Sequence, residues 1–330
     1  MRGRQYLYHF DVMKGIAIIL VVMGHVMLFS FDINPSEPSK FIYFNMPLFF
    51  YISGYLAYKN FYTLHELGKR ILQRGIVLLF PYLIFLCLYE IFSKGTDWNL
   101  SIIYCGGQRY WFLYDLFIIS TFFLVYEYLI KRVRSNFAYV TLWILPYFFL
   151  IAAKTGAAKI GGADSQAVIA GFVNYYRYFL IGYLCKKYVR FNDLLFDNKL
   201  IGAFAFFAYI LNWYFFEFHN IALIFLGTLG GIIVVQSFVK NYISAEGAVG
   251  KLLIYIGKCS LGIYVIHYFF IPDVSGVIGN FLDCGNPFIW QLTFAMIIAV
   301  PIVAASIFVY KLMEMNKWLY FIFFGKKIDK

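Results

Sequence analysis

Apolar residues run along this chain in long blocks, each interrupted by a short polar segment rich in lysine and arginine. A helix needs about 20 mostly apolar residues to cross the hydrocarbon core of a bilayer. On that measure the pattern predicts ten spans, over residues 8–31, 41–58, 75–92, 111–130, 137–153, 168–185, 200–216, 220–239, 252–271 and 288–310. Only Glu217–Asn220 separates the seventh from the eighth, so these two read as a tight hairpin. The first block is long, carries charges and lacks a small-residue cleavage site, so it is expected to stay as a helix. The longest external connections are Ser93–Tyr110, Lys154–Ala167 and Pro272–Pro287. The second is rich in Gly and Ala and reads as a mobile loop. No linker divides the chain and no repeat recurs, so residues 1–330 are expected to form a single membrane-embedded domain.

Composition agrees with this pattern. Hydrophobic residues make up 62% and charged residues 14%, against about 25% charged in a soluble domain. Mean hydropathy is +0.72. A soluble globular enzyme, a disordered chain and a disulfide miniprotein are excluded. The fold class is all-α, a polytopic transmembrane helical bundle of about ten spans.

The net charge of +11 sets orientation rather than a partner. With the N-terminus in the cytoplasm, 21 of the 28 Lys and Arg residues fall in cytoplasmic segments and five in external ones (Lys40, Lys94, Arg109, Lys154 and Lys159). Positive charge stays inside, so both termini are expected in the cytoplasm. A nucleic-acid partner would need a soluble basic domain, which the pattern lacks. The five cysteines have neither CxxC nor zinc spacing. Cys105 and Cys284 fall in external segments, but unpaired small apolar residues are the better reading of both.

Two basic residues remain inside spans, Lys14 and Arg177, with Lys258 near the start of the ninth span counted among the cytoplasmic residues. Ionisable groups at membrane depth are costly and mark sites. The first span, HFDVMKGIAIILVVMGHVML, holds Asp11, Lys14 and His25. Eleven residues at about 100° each come within about 20° of three full turns, so Lys14 and His25 share a face about 16 Å apart. Asp11 lies one turn below Lys14, placed to pair with it. Snorkelling of Lys14 to the interface and simple packing of His25 are the structural alternatives. The common stripe argues against both.

These residues resemble the opening of the acyltransferase 3 family of integral membrane O-acyltransferases, which begins Asp-x-x-Arg-Gly with a His eleven residues after the Arg. Here the run is Asp11-x-x-Lys14-Gly15 with His25. Further blocks are similar in order: Met46-Pro-Leu-Phe-Phe-Tyr-Ile-Ser-Gly-Tyr55, Tyr110-Trp111-Phe112-Leu113, Tyr178-Phe-Leu-Ile-Gly-Tyr183 and Gly257-Lys-Cys-Ser-Leu-Gly-Ile-Tyr-Val-Ile-His267. Two departures stand out. Lys14 keeps the charge of the family's Arg but loses its bidentate fork. Arg70 and Arg74 precede Pro81-Tyr82 by more residues than the family's basic motif precedes its Pro-Tyr pair. The chain ends just after the tenth span, and no appended esterase-like domain is expected.

The resemblance implies transfer of an acyl group, most often acetyl, from cytoplasmic acyl-CoA to a hydroxyl of a cell-envelope or exported glycan, without a metal. It implies an integral protein of the bacterial inner membrane. Coenzyme A phosphates need cations at the cytoplasmic mouth, for which Lys14 with Asp11, and Arg70 and Arg74, are the candidates. Arg70 and Arg74 are one turn apart on one face. An ordinary cytoplasmic positive cluster is the plainer reading of the two arginines. His25 is the candidate general base, by direct transfer; an acyl-His intermediate is the competing route. Ser53, Trp111 and Tyr264 are candidate oxyanion donors. His267 is read as an acceptor-binding or proton-relay residue, or as interfacial packing. Arg177 either forms a structural ion pair with Asp115 or Glu90 or holds an acidic sugar. Trp111 and Asp115, one turn apart, are candidate glycan contacts. A transporter or flippase for a glycan or small anion is the rival function, though the two related halves it often shows are not found.

Overall fold

The computed structural model describes residues 8–31, 40–59, 63–94, 109–160, 163–214, 221–274, 276 and 287–325. These residues are helical almost throughout, with no strand among them. Among the described residues thirteen α-helices follow one another: α1 (Tyr8–Phe29), α2 (Asn45–Ala57), α3 (Leu64–Lys94), α4 (Trp111–Ile130), α5 (Asn136–Ile160), α6 (Ala163–Lys187), α7 (Val189–Asp197), α8 (Lys199–Tyr214), α9 (Ile221–Tyr242), α10 (Ala248–Lys258), α11 (Ser260–Ile266), α12 (Pro287–Met315) and α13 (Lys317–Phe324). Among the described residues five helices are long and apolar enough to cross a bilayer, and two bent pairs raise that number to seven. The all-α polytopic architecture of an integral membrane protein is therefore as expected.

Several boundaries differ from the hydropathy pattern. α3 begins at Leu64, well before the predicted start at residue 75. A capping box starts it: the Glu66 carboxylate accepts from the Thr63 N–H at 3.0 Å, and the Glu66 N–H donates to Thr63 Oγ1 at 3.2 Å. Each satisfies an otherwise orphaned helix-end donor. The ninth predicted span is not continuous: α10 and α11 bend by 60° at Cys259. α5 and α6 reach into the predicted 154–167 loop from both sides, to Ile160 and from Ala163. α7 and α13 are too short for a span filter to detect. Cys105 and Cys284 lie outside the described residues, and Cys87, Cys185 and Cys259 are thiols.

The chain divides into two compact units. The first holds residues 1–52 and 188–312. In it α1 crosses α10 at close range. A Cβ on Gly15 would run into the Leu253 carbonyl, and one on Gly257 into the Asp11 carbonyl. Small residues are what let membrane helices approach this closely. α8 packs along α9, with Gly230 against the Ala205 carbonyl and Gly227 against Asn212; the Glu217–Asn220 connection read as a tight hairpin lies outside the described residues. Lys240 pairs with Asp197 at 2.5 Å, tying α7 to α9.

The second unit holds residues 53–187 and 313–330. Its core is aromatic. The Phe123 ring lies 4.4 Å from Trp143, 4.5 Å from Phe179 and 5.4 Å from Tyr183, joining α4, α5 and α6. Pro146 in α5 has no N–H to offer the carbonyl four residues back, that of Leu142. The Tyr126 hydroxyl donates to that carbonyl at 2.8 Å, and Tyr176 donates to the next, Trp143, also at 2.8 Å. Where water is scarce, backbone groups must find such internal partners. The buried Glu127 carboxylate accepts from the Tyr139 hydroxyl. Gly325, in the left-handed conformation at φ 60°, ends α13 against the backbone of Ile76.

Candidate functional site

The first unit brings two predicted histidines into contact. α1 carries His25 three turns beyond Lys14, whose Nζ meets Asp11 Oδ1 at 2.5 Å. The Gly15–Gly257 crossing fixes α10 against this helix, and the break at Cys259 redirects the chain into α11. A 3₁₀ turn, His267–Phe270, follows. The stretch after it is tied to the end of α1 by the Val274 N–H, which donates to the Ser30 carbonyl at 3.2 Å. His267 and Tyr268 therefore sit over His25.

The geometry fixes the protons. His267 Nδ1 lies 3.0 Å from the Ile263 carbonyl. A carbonyl only accepts, so this nitrogen carries hydrogen. In the neutral ring His267 Nε2 is then an acceptor, and it faces His25 Nδ1 at 2.8 Å. His25 Nδ1 must donate, which leaves the His25 lone pair on Nε2. The Tyr268 hydroxyl stands 3.1 Å from that atom and donates to it. A chain of hydrogen bonds therefore runs from His25 through His267 to a backbone carbonyl, and the Tyr268 hydroxyl caps its His25 end. The two imidazoles lie edge to edge and nearly coplanar, 5.0 Å between centres and 12° between planes, and Tyr268 lies 4.8 Å from His25 and 4.1 Å from His267. His267 is 0% exposed, Tyr268 is buried and His25 is half-buried. Such an arrangement holds one imidazole with its basic nitrogen presented and its other nitrogen braced, the condition for a directional base. Tyr264, also buried, stands one turn before His267, its ring 6.2 Å from that imidazole.

The other predicted site residues belong to the second unit. Arg70 and Arg74 are half-buried on α3. Leu67 and Ile71 on the same helix pack against Leu124 and Tyr128 of α4. The two arginines are offset from that stripe by about 60° around the helix, so they flank the packed face. Ser53 is half-buried beside Gly54, whose missing Cβ leaves room for the Phe179 carbonyl. Trp111 stacks on Tyr175 at 5.0 Å and 26°. One turn on, the buried Asp115 carboxylate lies against Gly171, where any Cβ would collide with it. Trp111 and Asp115 thus share the α4–α6 seam. The Arg177 guanidinium lies 5.0 Å over the Tyr178 ring.

Sequence reasoning found His25 and His267 separately and missed Tyr268. Its only signal was adjacency to His267. The pairing of residues 242 positions apart in sequence leaves no trace in spacing along one chain.

Comparison with known proteins places the chain. The model described as an acyltransferase domain, that of the acyltransferase 3 family, matches residues 7–308. The nodulation protein NolL of Sinorhizobium fredii is 32% identical over 150 residues, covering 41% of this chain and 38% of that protein. NolL of Mesorhizobium japonicum is 26% identical over 191 residues, covering 53% of this chain and 46% of that protein. The chain thus spans less than half the length of these curated relatives. No solved structure matches it. The family match takes in Asp11, Lys14, His25, Arg70, Arg74 and His267, and with 302 of the 330 residues inside it the chain belongs to the acyltransferase 3 family.

Proposed function

We propose that the protein is a membrane O-acyltransferase that moves an acyl group, acetyl first among the candidates, from cytoplasmic acyl-CoA to a hydroxyl of a cell-envelope or exported glycan. The observation that carries the reading is the braced histidine pair, in which His267 holds the His25 Nδ1 proton at 2.8 Å and the lone pair is left on Nε2. In the reaction the acceptor hydroxyl gives its proton to His25 Nε2. Its oxygen bonds to the thioester carbonyl carbon. The tetrahedral intermediate then collapses with cleavage of the C–S bond, and His25 returns the proton to the departing thiolate. The imidazolium formed midway is stabilised by the bond from Nδ1–H to His267.

His267 is fully buried, which favours the relay role over contact with the acceptor. The family match supports the chemistry as acyl transfer. Lys14, positioned by Asp11, and Arg70 with Arg74 are the proposed donor-binding cations, since guanidinium and ammonium groups complement the phosphates of coenzyme A. Tyr264 is the candidate oxyanion donor in the unit that holds His25, with Ser53 and Trp111 as the other two. Trp111, Asp115 and Arg177 are the proposed acceptor contacts: an aromatic face for stacking, a carboxylate for sugar hydroxyls and a cation for an acidic sugar. We place the protein in the bacterial inner membrane with both ends in the cytoplasm. The test is incubation of purified protein with labelled acetyl-CoA and cell-envelope fractions. Label in glycan supports the proposal; glycan or solute that crosses a vesicle membrane unmodified supports a transporter instead.

A further inference from the structure

The Tyr268 hydroxyl stands where an acceptor hydroxyl has to be. A general base acts on a proton it can touch, at about 2.6–3.2 Å between heavy atoms. Tyr268 Oη is 3.1 Å from His25 Nε2, the one imidazole nitrogen of the pair that carries a lone pair for catalysis. Its ring is wedged over both imidazoles, at 4.8 Å and 4.1 Å, and the residue is 6% exposed. Phe29 closes the same corner, with its ring 5.8 Å from His25 and 6.1 Å from Tyr268. Tyr268 is thus a built-in hydroxyl, held on the base by packing on more than one side.

We infer that Tyr268 occupies the His25 lone pair between turnovers and makes the base select an acceptor hydroxyl over water. The inference rests on His25 being the base. A thioester beside an exposed imidazole lone pair is hydrolysed. Water gives a proton to Nε2, its oxygen bonds to the carbonyl carbon and the C–S bond breaks. The thiolate then takes the proton from His25, leaving a carboxylic acid and free thiol. A lone pair already engaged by a phenol is closed to a stray water, which arrives with no other binding. An acceptor held by its own contacts displaces the phenol, because those contacts keep its hydroxyl in place while the two compete. The phenol then swings or re-donates elsewhere, and returns when product leaves. Tyr268 on this account sets specificity and acts through His25; it neither accepts nor transfers the acyl group.

The experiment compares wild type, Tyr268→Phe, His25→Gln and the double variant, as purified full-length protein with acetyl-CoA. Thiol release is measured without acceptor, and transfer is measured with an envelope glycan fraction. A hydrogen bond of this kind shifts an equilibrium by roughly 3–10-fold. Tyr268→Phe is therefore expected to raise acceptor-independent thiol release by about that factor and to lower the apparent KM for acceptor, with kcat for transfer kept. The added hydrolysis is expected to vanish in the double variant. Unchanged hydrolysis in Tyr268→Phe overturns the inference and leaves Tyr268 as packing. Loss of transfer in Tyr268→Phe also overturns it, since the hydroxyl would then take part in the chemistry. Extra hydrolysis that persists in the double variant overturns it because Tyr268 would not act through His25. Near-normal transfer by His25→Gln alone is the separate result that removes the base assignment beneath it.

Discussion

Replacing His267 with leucine removes the acceptor for His25 Nδ1–H while keeping an apolar side chain in a site that is 0% exposed. The consequence for catalysis can be sized. A donor left unpaired away from water costs roughly 1–3 kcal/mol, and the loss is felt most when His25 carries the extra proton in the transition state. At about 1.4 kcal/mol per decade this slows turnover by roughly 5–150-fold. The lost brace also frees His25 to place its hydrogen on Nε2, which pushes the effect towards the upper end. Donor affinity is expected to hold, because Lys14 lies about 16 Å from His25 along the helix. His267→Gln supplies an amide oxygen for His25 and an amide N–H for Ile263, so part of the rate is expected to return. The assay is acyl transfer by detergent-purified variants with matched melting profiles, analysed as kcat and KM separately. A folded His267→Leu protein turning over within twofold of wild type refutes the relay, as does a Gln variant no better than Leu.

Three further outcomes are expected. Tags at both termini should be accessible from the cytoplasm and a probe within residues 154–166 from outside; access to that segment from the cytoplasm alone contradicts the orientation drawn from the charge split. Arg70→Ala, Arg74→Ala and Lys14→Ala should each raise the KM for acyl-CoA roughly tenfold with kcat little changed, and Lys14→Arg should retain activity; unchanged donor KM in all three alanine variants removes the phosphate site. Gly257→Val should lower the unfolding midpoint in detergent by the equivalent of about 1–3 kcal/mol of overpacking, since its Cβ meets the rigid Asp11 carbonyl, whereas Gly202→Ala, which meets nothing within 4 Å, should not.

The hydropathy pattern carried the architecture because a bilayer imposes one simple rule on length and polarity. It also carried half of the site. Asp11 and Lys14 lie three residues apart and do pair, and intramembrane charge flagged them together with His25. The rest depends on contacts that sequence order hides. The partner of His25 is supplied by a separate element, and Tyr268 reaches His25 because a 3₁₀ turn follows α11. The break at Cys259 has no Pro to announce it, and an apolar run from residue 252 onwards reads as one span. The early start of α3 was legible, since Thr63 and Glu66 have capping-box spacing, but a filter tuned to apolar length passes over it. The short helices α7 and α13 escape the same filter for the same reason.

The central claim is that His25 is the general base, and His25→Gln tests it most directly. Glutamine keeps much of the size and hydrogen-bonding capacity of histidine without its basicity. The decisive quantity is kcat for acyl transfer by the purified, folded variant, measured alongside binding of acyl-CoA. Loss of general-base catalysis typically costs roughly 10²-fold or more, so the account predicts turnover reduced by at least that factor with acyl-CoA binding preserved. Near-normal turnover by His25→Gln would contradict it, and would leave Asp11, Lys14 and His25 as features of helix packing.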